Sequence, residues 1–124
     1  MSPMAEEVIQ GLAFNDAGLV PAVAQQHDSG EVLMLAWMNA DAIRETLAAG
    51  QVCYWSRSRG ALWRKGETSG HVQRLVELRY DCDNDAILLL VDQTGPACHT
   101  NRRSCFYQAA RDGAVELISE PVTD

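Results

Sequence analysis

Three carboxylates alternate with other residues in Asp81-Cys82-Asp83-Asn84-Asp85. If the segment is extended, this i, i+2, i+4 spacing puts them on one face. Like charges held that close repel, and a hard divalent cation with oxygen preference such as Mg²⁺ resolves the repulsion. The run is no EF-hand loop, because Ala86 stands where the sixth-position glycine belongs. A solvated acidic turn is the competing reading, since Asp and Asn favour turns. Cys82 alternates with the aspartates and points to the other side of an extended segment. Cys98 and Cys105 follow with fifteen and six intervening residues, a spacing of no ordinary zinc finger. Three thiolates still suit Zn²⁺ with a fourth position open to water, the economy of a catalytic site, while three free thiols are the bland alternative. His99 either completes a closed Cys₃His set or stays free beside the metal as a proton-transfer group.

A second candidate is the polar run from Ser56 to His71. It mixes Arg57, Arg59 and Lys65 with Ser56, Ser58, Thr68 and Ser69, and is punctuated by Gly60, Gly66 and Gly70. Arginine offers paired donors to phosphate, hydroxyls add more, and glycine lets backbone amides approach anionic oxygens. The Walker spacing is absent, so ATP-type binding is not indicated. Trp55 and Trp63 are candidates for stacking on a base or for the core. Glu67 fits a ligand, a support for a ligand, or a loop brace. His71 alone reads as a surface or hydrogen-bonded histidine, and Cys53, inside Val52-Cys53-Tyr54-Trp55, as core.

These residues need a scaffold, and 124 residues, 47% hydrophobic, make one domain over residues 1–124 with a core that needs no disulfides. A formal charge of −7 argues against a general grip on nucleic acid or anionic lipid. Residues 57–103 nevertheless hold eight of the ten basic groups against six acids. That basic island suits a compact polyanion such as a nucleotide, although arginines also cluster on solvated faces. No apolar run approaches the ~20 residues that cross a bilayer, and no export signal is seen, so a cytoplasmic protein with reduced cysteines is expected.

The first dozen residues suit a short amphipathic helix. Apolar runs at 19–26 and 31–38, joined by His27-Asp28-Ser29-Gly30, predict a hairpin. Asn39 predicts a helix cap, Gly50 its left-handed end, and Ile43 with Leu47 its inward face. Further strands are expected at 51–57, 72–80 and 86–91, with a long loop or pair of loops over 58–70, a sharp connection at 81–85 and another loop over 94–104. A last hairpin, 105–109 with 114–118, turns at Arg111-Asp112-Gly113, and a short mobile C-terminus is expected after Pro121. One principal helix among about seven strands predicts a mainly antiparallel α+β domain.

Taken together, Trp55-Ser56-Arg57-Ser58-Arg59, Leu62-Trp63, Lys65-Gly66-Glu67-Thr68-Ser69-Gly70, the acidic run 81–85, Ala97-Cys98-His99-Thr100 and Ser104-Cys105-Phe106 closely resemble the phosphoribosyl-AMP cyclohydrolase family. The resemblance covers about residues 33–107. It implies an enzyme of the third step of histidine biosynthesis, with Mg²⁺ on Asp81, Asp83 and Asp85. Zn²⁺ is implied on Cys82, Cys98 and Cys105, shared across a homodimer interface. Phosphate binding is implied for Ser56, Arg57, Ser58, Arg59, Trp63, Lys65, Gly66, Glu67, Thr68, Ser69 and Gly70. The implied reaction opens the adenine ring at N1–C6 by a zinc-activated water, with His99 and then His71 as proton carriers. Asn101 stands where Gly is expected in relatives, and Asn tolerates the left-handed conformation. A zinc hydrolase of another purine nucleotide and a structural zinc module are the competing readings.

Overall fold

The architecture comes from a computed structural model, in which residues 3–122 are described. Two helices and eight strands follow in the order α1 (Pro3–Gly11), β1 (Val20–Gln26), β2 (Val32–Met38), α2 (Ala40–Ala49), β3 (Cys53–Ser56), β4 (Ala61–Arg64), β5 (Gln73–Tyr80), β6 (Ile87–Gln93), β7 (Gln108–Arg111) and β8 (Ala114–Leu117). Six strands form one sheet in the order β4-β3-β2-β1-β6-β5, and β7 pairs with β8 apart from it. The fold is α+β and mainly antiparallel, as composition and periodicity predict. One pairing departs from the hairpin pattern, because β1 and β6 run parallel.

Alternation builds the core. Val20, Ala22 and Ala24 of β1 and Ile87, Leu89 and Val91 of β6 all point inward, at 2% exposure or less, beside Leu33, Met34 and Met38 of β2. Helix α2 starts where Asn39 accepts a hydrogen bond from the Ala42 amide at 2.8 Å and stops at Gly50, whose φ is 72°. Its buried Thr46 hydroxyl accepts from Cys53 N at 2.9 Å, which docks the helix on β3. Cys53 is fully buried, as its apolar neighbours predict.

The sheet also curls until its last strand meets the stretch between α2 and β3. Leu75 N donates to Gly50 O at 2.8 Å and Val52 N to Gln73 O at 2.9 Å. Beneath them the Tyr54 hydroxyl donates to Gln73 Oε1 at 2.7 Å, both side chains fully buried.

Three expectations need correction. Residues 58–70 are not loop throughout, since 61–64 pair with β3 as the second arm of a short hairpin and divide the stretch into two turns. The strand expected from 105 starts at Gln108, because Cys105 N donates instead to Leu33 O at 2.7 Å. The chain after Pro121 is tethered through Val122, whose N–H donates to Asn101 O at 2.7 Å; Thr123 and Asp124 lie outside the described residues. The sharp connection expected at 81–85 forms, as a turn with Asn84 left-handed at φ 61°, so the extended geometry considered for the aspartates does not arise.

Helix α1 is fastened to α2 by Arg44, whose Nε and Nη2 donate to the Glu6 carboxylate at 2.9 and 3.0 Å. The arginine's hydrogen bonds hold the Glu6 carboxyl below its ordinary 4.5. A depressed carboxyl adds stability above its unfolded pKa and loses it as pH falls through the folded value. The gap in melting temperature between wild type and Glu6→Gln is therefore expected to be present at pH 7 and to close as pH falls below 4.5, read by circular dichroism.

Candidate active site

The β3–β4 hairpin and the turns that follow it form one side of the site. Residues 57–60 turn on Gly60, at φ 61°, with Gly60 N donating to Ser56 O at 2.8 Å. Trp63 packs at a tilt on Tyr54, ring centroids 5.5 Å apart. Lys65 then turns inward. It is 8% exposed, and its ammonium donates to Ala97 O at 2.8 Å and lies 5.7 Å from the Trp63 ring centroid. Burial lowers the Lys65 pKa, and the nearby Cys105 and Cys98 sulfurs oppose that shift. The next turn is drawn tight by Gly66, where an added Cβ would sit 2.5 Å from the His71 carbonyl carbon and the Val72 nitrogen. Gly70 N closes it onto Gly66 O at 2.8 Å, and Ser69 Oγ accepts from His71 N at 3.1 Å.

The other side is the segment after β6. Cys98 N donates to Arg102 O and Asn101 N to Cys98 O, both at 3.0 Å, which makes 99–101 a three-residue hairpin turn. Its left-handed position is Asn101, at φ 66°. His99 is exposed at the tip. The base of the segment is anchored by Ser104 Oγ on Val32 O at 2.7 Å and by the Arg103–Glu31 ion pair at 3.1 Å.

Cys98 and Cys105 come together there. Burial pushes the Cys98 thiol up, but hydrogen bonds from the Thr100 side chain and backbone and from Cys105, with the Arg102 charge, outweigh it and leave the pKa lowered. The Cys105 thiol is pushed up to about 11 by desolvation and then by Cys98. Two neighbouring thiols that share a hydrogen bond suit a soft cation that replaces the shared proton.

A cleft of about 550 Å³ opens between the two sides, within the range of small-molecule sites. Arg59, Trp63, Lys65, Gly66, Glu67, Thr68, Ser69 and His71 line it together with Cys98, His99 and Cys105. Gly70 shapes the turn without lining it. Ser56, Arg57 and Ser58 face a shallower concavity beyond Trp63, where the Arg57 guanidinium lies 4.7 Å from the Trp37 ring centroid. Met34, Pro96, Ala97 and Asn101 also line the cleft. No chemical signal marked the first three, which are apolar residues brought in by strand pairing and the loop path.

Cys82 and the three aspartates are elsewhere. They turn the β5–β6 hairpin at its Tyr80–Ile87 end, whereas the cleft lies beyond its Gln73–Gln93 end, roughly 23 Å away at ~3.3 Å per residue. One chain therefore assembles two of the three expected thiols. Cys82 is exposed, on the same turn as the carboxylates. Asp81 Oδ1 accepts from Asp85 N at 3.0 Å and Ala86 N at 3.3 Å, and the donor atoms of Asp81, Asp83 and Asp85 all lie within 4.8 Å of one another. The backbone amide of Asp85 lowers Asp81, while hydrogen bonding and repulsion from Asp81 raise Asp85. An all-oxygen donor set that mutually repels fits Mg²⁺.

Fold and cleft define a small α+β protein with a thiol-bearing pocket of small-molecule size. Residues 34–107 match the family model for phosphoribosyl-AMP cyclohydrolase. The chain is 70% identical over 117 residues to phosphoribosyl-AMP cyclohydrolase 2 of Pseudomonas fluorescens, covering 94% of this chain and 80% of that one. It is 67% identical to the phosphoribosyl-AMP cyclohydrolase of Granulibacter bethesdensis over 95% of this chain and 93% of that one. Against the Acidiphilium cryptum enzyme of that name the identity is 65%, covering 92% and 99%. The chain belongs to the phosphoribosyl-AMP cyclohydrolase family, and it is a hydrolytic enzyme.

The glycines of the site separate two costs. Gly60→Ala meets nothing within 4 Å and is expected to cost about 1–2 kcal/mol through its left-handed φ alone. Gly66→Ala adds a backbone clash and is expected to cost at least about twice as much, as chemical denaturation of the two variants will show.

Proposed function

We propose that the chain hydrolyses the N1–C6 bond of phosphoribosyl-AMP in the third step of histidine biosynthesis. The observation that carries this is a single cleft lined both by anion donors, Arg59, Thr68 and Ser69, and by Cys98, Cys105, His99 and His71. The substrate has two phosphates and a purine made electrophilic at C6 by the ribosyl group on N1. Trp63 lines both the cleft and the concavity of Ser56, Arg57 and Ser58, so donors stand on either side of it for the two phosphates.

Cys98 and Cys105 would hold Zn²⁺ with Cys82 of a second copy as third ligand, in a homodimer. The exposure of Cys82 at the far end of its hairpin supports this sharing, since its own chain's pair is out of reach. Asp81, Asp83 and Asp85 would hold Mg²⁺, which offsets the charge of the turn that carries Cys82. Zinc, when bound, lowers the pKa of a coordinated water toward neutrality and so supplies the nucleophile. Arg59 and the hydroxyls orient the phosphates, and Trp63 offers the purine a ring face. The water oxygen bonds to C6, the N1–C6 bond breaks, and the exocyclic amine stays as a carboxamide. His99, beside Cys98 at the turn tip, carries the proton to N1, with His71 as second carrier.

A spectrophotometric assay of ring opening in phosphoribosyl-AMP tests the reading. Turnover is expected with metal and absent after chelation; no turnover by zinc-loaded, Mg²⁺-supplied protein would sink it. His99→Ala is expected to keep zinc and lose at least about 100-fold in rate, whereas Cys98→Ala loses both. Mixing Cys82→Ser and Cys98→Ser chains tests the sharing. Half of the dimers are then mixed, each with one intact site, so about a quarter of wild-type activity should return; no recovery would place all three thiols in one chain.

A further inference from the structure

The segment 118–122 grips the cysteine turn from outside. Asn101 Nδ2 donates to Val122 O at 2.6 Å, and Val122 N returns a bond to Asn101 O at 2.7 Å. Arg102 Nε donates to Ser119 O at 3.0 Å, while its guanidinium lies 3.9 Å from the Tyr107 ring centroid. Ile118 N donates to Tyr107 O at 2.8 Å, which ties the start of the segment to the chain just past Cys105. These bonds do not fall on arbitrary positions. Asn101 and Arg102 are the two residues whose backbone shapes Cys98, through Asn101 N to Cys98 O and Cys98 N to Arg102 O. Asn101 also holds the left-handed position on which that turn depends. A glycine there would serve the φ angle equally well but would have no amide to offer Val122.

We infer that residues 118–122 are a strap that positions the Cys98–Cys105 turn, with Asn101 and Arg102 as the positioning residues through which it acts. The inner side of the same segment is fixed by Lys65 on Ala97 O, Ser104 on Val32 O and Arg103 on Glu31. The strap supplies the outer side, so the turn is held between the core and 118–122. Cys98 and His99 are displayed on a braced turn, and a ligand set braced in advance loses less freedom on taking a metal. The inference rests on the proposal that Cys98 and Cys105 are metal ligands.

Two variants remove the strap's bonds and leave the cysteines, His99 and the local charge in place. Asn101→Gly with Val122→Pro keeps the left-handed position while deleting both bonds between 101 and 122. Arg102→Lys keeps the charge but changes the donor that reaches Ser119. The readouts are Co²⁺ affinity by chelator competition, the Co²⁺–thiolate absorption spectrum, melting temperature, and kcat and KM separately. Affinity is expected to fall about 10-fold or more in the double variant, as for other residues that orient metal ligands, with an altered thiolate band. kcat is expected to fall while KM stays within about twofold, and Arg102→Lys to move in the same direction by less. Wild-type Co²⁺ affinity and band shape in the double variant would overturn the strap, whatever its melting temperature. Cys98→Ala separates the two ideas: if it keeps the wild-type thiolate band, the ligand assignment fails and the strap fails with it. Loss of that band in Cys98→Ala, with the double variant unchanged, rejects the strap alone.

Discussion

The hydrogen bonds from Leu75 to Gly50, from Val52 to Gln73 and from Tyr54 to Gln73 connect strands that the sheet order puts far apart. β4 is one edge of the six-stranded sheet and β5 the other, about 24 Å apart if the sheet were flat, at ~4.8 Å per strand. Curling brings β5 within bonding distance of residues 50–52 and of Tyr54 in β3, and makes the cleft, because the β3–β4 hairpin delivers Arg59, Trp63 and Lys65 while the chain after β6 delivers Cys98 and Cys105. The closure lies under buried side chains, where an unmade hydrogen bond costs the full desolvation of its donor. Burial drives the Tyr54 hydroxyl well above its ordinary pKa, so it stays a donor to Gln73. Gln73 in turn donates to Met34 Sδ at 3.4 Å, and Met34 lines the cleft.

The basic island looks larger in the sequence than it is in space. Arg64 is paired with Glu45, Arg74 with Asp92, Arg79 with Glu77 and Arg103 with Glu31. Arg102 is bound to Ser119 O, and Lys65 is buried on Ala97 O. Arg59 lines the cleft and Arg57 the neighbouring concavity, without a carboxylate partner among the described residues. Lys65 is the instructive case. A buried ammonium without a carboxylate is costly; here the Ala97 carbonyl accepts from it, and the Cys105 and Cys98 sulfurs oppose the lowering of its pKa.

The positions of the thiols follow from the hairpin geometry of β5 and β6. A tight antiparallel pair separates its turn from its open end by its full length, so Cys82 is far from Cys98 and Cys105 for as long as β5 and β6 pair over 73–80 and 87–93. The acidic turn keeps its carboxylates together by a local device, the Asp81 side chain capping the Asp85 and Ala86 amides around a left-handed Asn84.

What the sequence determined by itself was set by interactions spanning a few residues. The Asn39 cap, the Gly50 stop, the turns at 27–30 and 111–113 and the alternation of the central strands are of this kind. So are the chemical types brought to the site, since a thiol or a guanidinium keeps its chemistry wherever it is placed. Partner choice was decided only in three dimensions. The parallel pairing of β1 with β6, the closure of β5 on residues 50–52, the division of the 56–71 run by Trp63 and the parting of Cys82 from the other cysteines have no local signature. Each depends on which buried faces pack together once the whole sheet has twisted and curled, and that balance of burial and hydrogen bonding is struck between segments tens of residues apart.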